Sequence, residues 1–393
     1  PNIGWRAVHS HEGARSRIPL RTELGRQNDL VPPSGEGLSQ ELFVASLAVD
    51  LRRVEVCDPQ IDGTVEQIDG LEGGRRPQCL PLVRGSTDLE TRLRNRRFLE
   101  EELPFRSKLR SVFGFSSACV PSILTGNQPR DHGHWSFFYH TRERSPFRPL
   151  RLLRWLPGSL ADRGRVRNWI SKLVKRAYGF QGYFQLYNMP FRLIDRFDYC
   201  EKRDLFRPGG MNKGESIFDH LECSGTKYHC SDWRQGEDAN LDSLKAGLAK
   251  GEISFAFLYM ASMDALLHQV GKSSEQVDAK LAWYEQRLRE LMALARKHYG
   301  EVRLFVCSDH GMATVEHSVD IGSKVDALGL DEGRDFIATY DSTMARFWFY
   351  NDEARQRITA LLGGIPEGRI LPDEELAALG CDFDGQQYGE LIF

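Results

Sequence analysis

The features this chain lacks narrow it before any motif is read. No apolar run approaches the roughly 18 residues of a membrane span, and residues 1–30, polar and rich in Arg, contain no signal-peptide core. Both absences point to a soluble chain, cytoplasmic if its first residue is native. Neither charge is in excess: 52 basic residues face 55 acidic ones for a net −3, which proposes no nucleic-acid partner. The eight cysteines (57, 79, 119, 200, 223, 230, 307 and 381) include no Cys-x-x-Cys pair and read as dispersed buried thiols. Cys223 and Cys230 alone are spaced to bridge a loop in an oxidising compartment. The chain opens without Met and stops inside Tyr388-Gly-Glu-Leu-Ile-Phe393, which looks like mid-strand, so a piece of a longer protein is expected. Its 393 residues are enough for a large core.

Against those absences stand two runs of strand length, each ending in Asp and His. Ser254-Phe-Ala-Phe-Leu-Tyr-Met leads to Asp264-x-x-x-His268-x-x-Gly271, and Val302-Arg-Leu-Phe-Val-Cys leads to Ser308-Asp309-His310-Gly311-Met312. Open α/β sheets place ligand-binding residues at such strand ends. Carboxylate and neutral imidazole form a borderline-hard donor set that suits zinc, with manganese or iron as alternatives. Gly311 lets the backbone turn tightly, so that adjacent Asp and His face one ion. Between the runs, Val277, Leu281, Tyr284, Leu288, Leu291 and Leu294 recur at helical spacing within 274–299. Strand, pair, helix, strand, pair describes a βαβ unit with both pairs on one sheet edge.

Upstream, residues 1–95 form a poorly defined region with one convincing apolar stretch, Glu41 to Val49. Asp88 to Leu109 is charged with a helical pattern. Ser111-Val-Phe-Gly-Phe-Ser116-Ser117 then reads as an apolar strand and small-residue turn, followed by a short helix ending at Gly126. A serine at such a turn sits by the positive end of the helix dipole, ready for an anion such as phosphate, or serves only as the helix N-cap. Residues 134–208 interleave aromatics with Arg and Lys and read as an insertion. It is expected to be a helical lid whose aromatics are core and whose arginines are solvated; the other readings are a cap that binds a phosphorylated substrate through its cations and a basic amphipathic helix that rests on an anionic membrane surface. Ser216 to Leu248 reads as helix, loop and helix, Asp341 to Tyr350 as an aromatic strand and Asp352 to Leu362 as a helix. His220, His229 and His317 stand outside any motif.

These pieces together resemble the alkaline phosphatase superfamily, and within it the type I phosphodiesterase/nucleotide pyrophosphatase branch with its sulfatase-like relatives. The resemblance rests on Phe115-Ser116 through Leu124-Thr125-Gly126, Pro129-x-x-His132-Gly133, Asp264-x-x-x-His268-x-x-Gly271 and Ser308-Asp309-His310-Gly311-Met312, in that order. It runs from about Pro104 to Phe393. It implies a three-layer α/β/α fold with a largely parallel central sheet, the catalytic domain spanning 96–393. It also implies two divalent metal ions, zinc first and manganese second, one held by Asp264 and His268, the other by Asp309 and His310. The family nucleophile lies nine residues before the Thr of Leu-Thr-Gly, which here is Ser116, with Ser117 as the fallback. Asp69 is the candidate for a further metal ligand on the first strand, and a third His would lie beyond the end of this chain. Val120 stands where sulfatases need Arg, which argues against sulfate esters.

The resemblance implies a hydrolase of phosphate esters acting on a small phosphorylated substrate through a phosphoseryl intermediate, with diesters favoured over monoesters. Two alternatives stay open: a phosphoryl or phosphoethanolamine transferase, and a non-catalytic relative that acts as a binding protein.

Overall fold

The computed structural model describes residues 45–50, 96–106, 111–141, 145–157, 160, 163–186, 189–315 and 318–393, with only the backbone of 45–50. Numbered in chain order, the strands are β1 (Ala45–Asp50), β2 (Phe138–His140), β3 (Phe197–Tyr199), β4 (Tyr228–Cys230), β5 (Phe255–Met260), β6 (Arg303–Ser308), β7 (Phe336–Tyr340), β8 (Ala345–Phe349) and β9 (Leu391–Ile392). The helices are α1 (Ser116–Thr125), α2 (Pro129–His132), α3 (Gly164–Tyr178), α4 (Ile217–Cys223), α5 (Glu237–Ala249), α6 (Ser262–Val270), α7 (Glu275–His298), α8 (Ile321–Asp326), α9 (Asp352–Gly363) and α10 (Asp373–Ala378). Two 3₁₀ segments, Arg148–Trp155 and Phe191–Arg196, lie within the insertion. The described residues fall into two compact units, one within 16–111 and 217–315, the other within 112–216 and 316–393.

The first unit holds a four-stranded sheet in the order β4-β5-β1-β6. β5 illustrates how its sequence chooses its place. Ala256, Leu258 and Met260 point to one face and pack with Leu241, Leu244 and Leu248 of α5 and with the apolar stripe of α7. Phe257 points to the other, where its ring meets Phe218 of α4 edge to face at 5.8 Å. A strand apolar on both sides is stable only when covered on both. α7 forms because the Ser274 hydroxyl caps its first turn by accepting from Gln276 N, acids lie near that end, and Arg296, Lys297 and His298 lie at the other. Its buried stripe runs from Val277 to Ala295, each large side chain worth about 1.5–3 kcal/mol over exposure.

The second unit is built on the β7-β8-β9 antiparallel sheet and the β2-β3 ladder. Arg346 of β8, 1 % exposed, is buried among Trp135, Trp348 and Tyr388. It pairs with Asp341 at 3.0 Å and donates to the Phe138 carbonyl and the Ser136 hydroxyl, both at 3.0 Å. Beside it, His134 Nε2 accepts from Asn212 N at 3.0 Å, and its Nδ1 lies 3.2 Å from Cys200 Sγ. His132 Nδ1 accepts from His134 N, which leaves its Nε2 hydrogen for the Ser122 hydroxyl at 2.9 Å. Burial holds both imidazoles neutral, at about 3, and pushes buried Glu201, beside Asp204, up to about 8.

Several expectations change here. The α/β class holds, but the described residues form three small sheets where a large parallel one was expected, and β4-β5 is the sole parallel strand pair among those residues. β1 runs against both of its neighbours. The strand expected at 111–115 does not form: Gly114, at φ 147°, turns the chain where a Cβ would sit 2.7 Å from that of Ala118. Residues 96–102 are turns rather than helix; Arg97 and Leu99 take left-handed backbone, which puts Phe98 and Leu99 into the core. The loop expected between α4 and α5 contains β4. The Asp341–Tyr350 strand starts only at Ala345, since Asp341 to Met344 close the β7-β8 hairpin. The insertion is a mixed ladder, 3₁₀ and helical module rather than a helical lid, although most of its aromatics are core as expected. Cys119, Cys200, Cys223, Cys230, Cys307 and Cys381 are free thiols. No helix among the described residues is long and apolar enough to cross a membrane.

The buried titratable groups predict a stability maximum. The histidines, lowered from 6.5, contribute stability above that value that is lost as pH falls toward about 3. Glu201, raised from 4.5 to about 8, contributes stability at low pH that is lost as pH rises through about 8. Between those values the unfolded chain's extra protons on the imidazoles and the folded chain's extra proton on Glu201 act in opposite senses. Urea midpoints should therefore fall toward both the acid and the alkaline side, and Glu201→Gln should weaken the alkaline decline while leaving the acid one.

Candidate active site

Register brings the two Asp–His pairs together. Met260 and Ser308, the last residues of β5 and β6, both lie opposite Ala45 of β1, so two parallel strands end level, roughly 10 Å apart across the intervening strand. The expected placement of both pairs on one sheet edge is therefore met.

After β5 the chain enters α6, where Asp264 in the first turn and His268 one turn later share a face. His268 Nε2 lies 3.4 Å from Asp264 Oδ1. The side chain of Asp264 is 1 % exposed, and its Oδ2 has no hydrogen-bond partner among the described residues. Burial raises the Asp264 carboxyl above the usual carboxylate range, against the pull of His268 and the charge of His310. That last influence reaches Asp264 from the other pair.

After β6 the turn is held by its own polar groups. The Ser308 hydroxyl donates to the His310 carbonyl at 2.6 Å, His310 N donates to Asp309 Oδ1 at 3.0 Å, and the Ser111 hydroxyl donates to the Asp309 carbonyl at 2.8 Å. His310 Nε2 then sits 3.4 Å from Asp309 Oδ2, the same separation as in the first pair.

Two supporting residues carried no signal in the sequence. Glu237, at the start of α5, accepts from Ser262 N at 2.9 Å and so caps α6, while Lys280 and Tyr284 of α7 hold its carboxylate at 2.6 and 2.8 Å. Ser111 ties the segment before α1 to the Asp309 turn. Only spacing relative to folded neighbours reveals either role.

Ser116 belongs to the other unit and is buried as the first residue of α1, with Phe115 in the cap position. The N-cap reading thus falls away. No acidic residue occupies the first turn, so the positive end of this ten-residue helix is not neutralised from within. The Ser117 hydroxyl donates to the Trp135 carbonyl at 2.9 Å. Gly126 ends the helix in left-handed backbone at φ 71°, as expected. His132, through Ser122, fastens the Pro129-x-x-His132-Gly133 turn to α1.

The donors fit a divalent cation in kind: two carboxylate–imidazole pairs, one of them with a buried oxygen that has no hydrogen-bond partner among the described residues. In number they do not close a site, and no group of three or more metal-ligating side chains is found among the described residues. Asp69 and His317 lie outside those residues.

Fold and site thus define an α/β chain with paired Asp and His side chains at the ends of two strands. The family model for type I phosphodiesterase / nucleotide pyrophosphatase matches residues 96–362. The chain belongs to that family, within the alkaline phosphatase superfamily, and membership supports a phosphate-ester hydrolase. No curated protein and no solved structure gives a match.

The orphaned Asp264 oxygen yields a prediction that needs no substrate. Asp264→Asn should leave the metal-free protein as stable as the wild type or about 1 kcal/mol more so, since a buried carboxylate is given up. Zinc or manganese at a hundred times its dissociation constant should stabilise the wild type by about 2.7 kcal/mol and the variant hardly at all, read by thermal unfolding.

Proposed function

We propose that this chain is a metal-dependent hydrolase of phosphate diesters that works through a phosphoseryl intermediate. The observation that carries the reading is the level ending of β5 and β6, which gathers Asp264, His268, Asp309 and His310 on one sheet edge. Asp264 with His268 would hold one divalent ion and Asp309 with His310 the second. Such ions lower the pKa of a hydroxyl or water and offset charge on phosphate oxygens.

In this reading Ser116 is the nucleophile. Its Oγ attacks phosphorus and gives up its proton, the bond to the leaving alkoxide breaks, and that alkoxide departs as an alcohol. Water then attacks the seryl phosphate, the Ser–O–P bond breaks, and the hydroxyl of Ser116 is restored along with a monoester. The α1 N-terminus favours the anion throughout. Ser117 is the weaker candidate because its hydroxyl is committed to Trp135. His268 and His310, each against a carboxylate, are oriented by that contact.

Turnover of bis-p-nitrophenyl phosphate with added zinc or manganese tests the assignment. Ser116→Ala should lose roughly 10⁴-fold or more in kcat. Ser117→Ala should retain turnover and lose about 1–3 kcal/mol of stability, because it leaves the buried Trp135 carbonyl without its donor. Full activity in Ser116→Ala would overturn the nucleophile. A folded protein that binds no metal and hydrolyses neither diester nor monoester would favour a binding protein instead.

A further inference from the structure

The insertion carries a surface that the hydrolase reading does not use. Between 148 and 178 the chain has nine Lys and Arg against a single acidic residue, Asp162. The 3₁₀ segment sorts them by its period of three. Leu150, Leu153 and Leu156 form one column that packs on the core of the insertion. Arg148, Arg151 and Arg154 form a second, exposed column. Pro149, Leu152 and Trp155 form the third, with Leu152 70 % and Trp155 74 % exposed. Two columns out of three therefore face solvent, one cationic and one apolar.

α3 repeats the arrangement at helical period. Ile170 and Val174 point into the same core, while Arg165, Trp169, Lys172, Leu173 and Arg176 share the opposite face. Trp169 is 66 % and Leu173 53 % exposed. A helix with one buried stripe needs no second apolar set, and here that set lies among cations. Arg148, Arg151, Arg154, Lys172 and Arg176 form no ion pair among the described residues. An open pocket lined by Ser145, Pro146, Arg148, Pro149 and Arg151 adjoins the arginine column.

The geometry points to a docking surface for an anionic lipid bilayer. Tryptophan and leucine would enter the boundary between headgroups and acyl chains, and the arginines would lie at the level of lipid phosphates, with their stems along the apolar layer. Charge complementarity selects an anionic partner. Exposed leucines on outward-facing helical surfaces select lipid over nucleic acid, whose phosphates and bases offer aliphatic side chains little.

Flotation of the full chain with vesicles of equimolar phosphatidylserine and phosphatidylcholine tests this against vesicles of phosphatidylcholine alone. Binding to the mixed vesicles is expected to be far the stronger and to weaken with added salt. Trp155→Ser with Trp169→Ser should reduce partitioning at least about ten-fold. Arg151→Gln, Arg154→Gln and Lys172→Gln together should reduce it about a hundred-fold, near five-fold per cation. All five positions are exposed, and unchanged unfolding midpoints verify that each variant is folded. Equal binding to both vesicle types, indifference to both sets of substitutions, or preference of the wild type for a single-stranded oligonucleotide over the mixed vesicles would each overturn the proposal.

Discussion

Two strands that end at the same height are the constraint on which the site depends. β5 and β6 are each paired residue for residue with β1, so their last residues lie opposite one another through Ala45. Slipping either by one residue would exchange its faces. In β5 that would send Phe257 and Tyr259 toward α5 and α7 and bring Ala256 and Leu258 against Phe218, filling neither side. Core packing therefore fixes the height at which α6 begins, and Glu237 fixes its start from the adjacent helix. The position of Asp264 is thus determined by residues that take no part in chemistry.

The second unit is organised instead around buried polarity. Arg346 brings a permanent charge into a ring of aromatics, a costly arrangement unless its donors are met; Asp341, Phe138 and Ser136 meet its two terminal nitrogens from a hairpin turn, a strand of the insertion and the chain before it, while its Nε has no partner among the described residues. The two neutral histidines act similarly for α1 and α2. Since an unmet buried polar group costs far more than a met one gains, such networks admit few alternative packings. Through Ser122, the His132 imidazole holds the helix that begins with Ser116.

Much of this was legible in the sequence, for physical reasons. The α7 stripe, the α9 helix and the Gly126 stop are local signals, and the structure returns them within a residue or two. The positions of the strand-end pairs were legible because each follows an apolar run of strand length, and the structure returns both runs as β5 and β6. What remained hidden was non-local. The direction of β1 and the small sheets depend on pairing partners distant in sequence. The turns at 96–102 look helical by charge pattern, yet burial of Phe98 and Leu99 decides them. In the insertion, aromatic composition foretold a core but could not distinguish a ladder and 3₁₀ segments from a helical lid. Glu237 is one glutamate among many until its three partners are folded around it.

The 3₁₀ segment has one further consequence. Because its three columns repeat every third residue, the segment behaves like a reading frame. Substitutions within a column change one property alone: packing, charge or surface apolarity. A single inserted residue would instead rotate everything downstream by a third of a turn, carrying arginine toward the core and leucine into solvent. The face can thus be tuned by exchange of residues and not by a change of length.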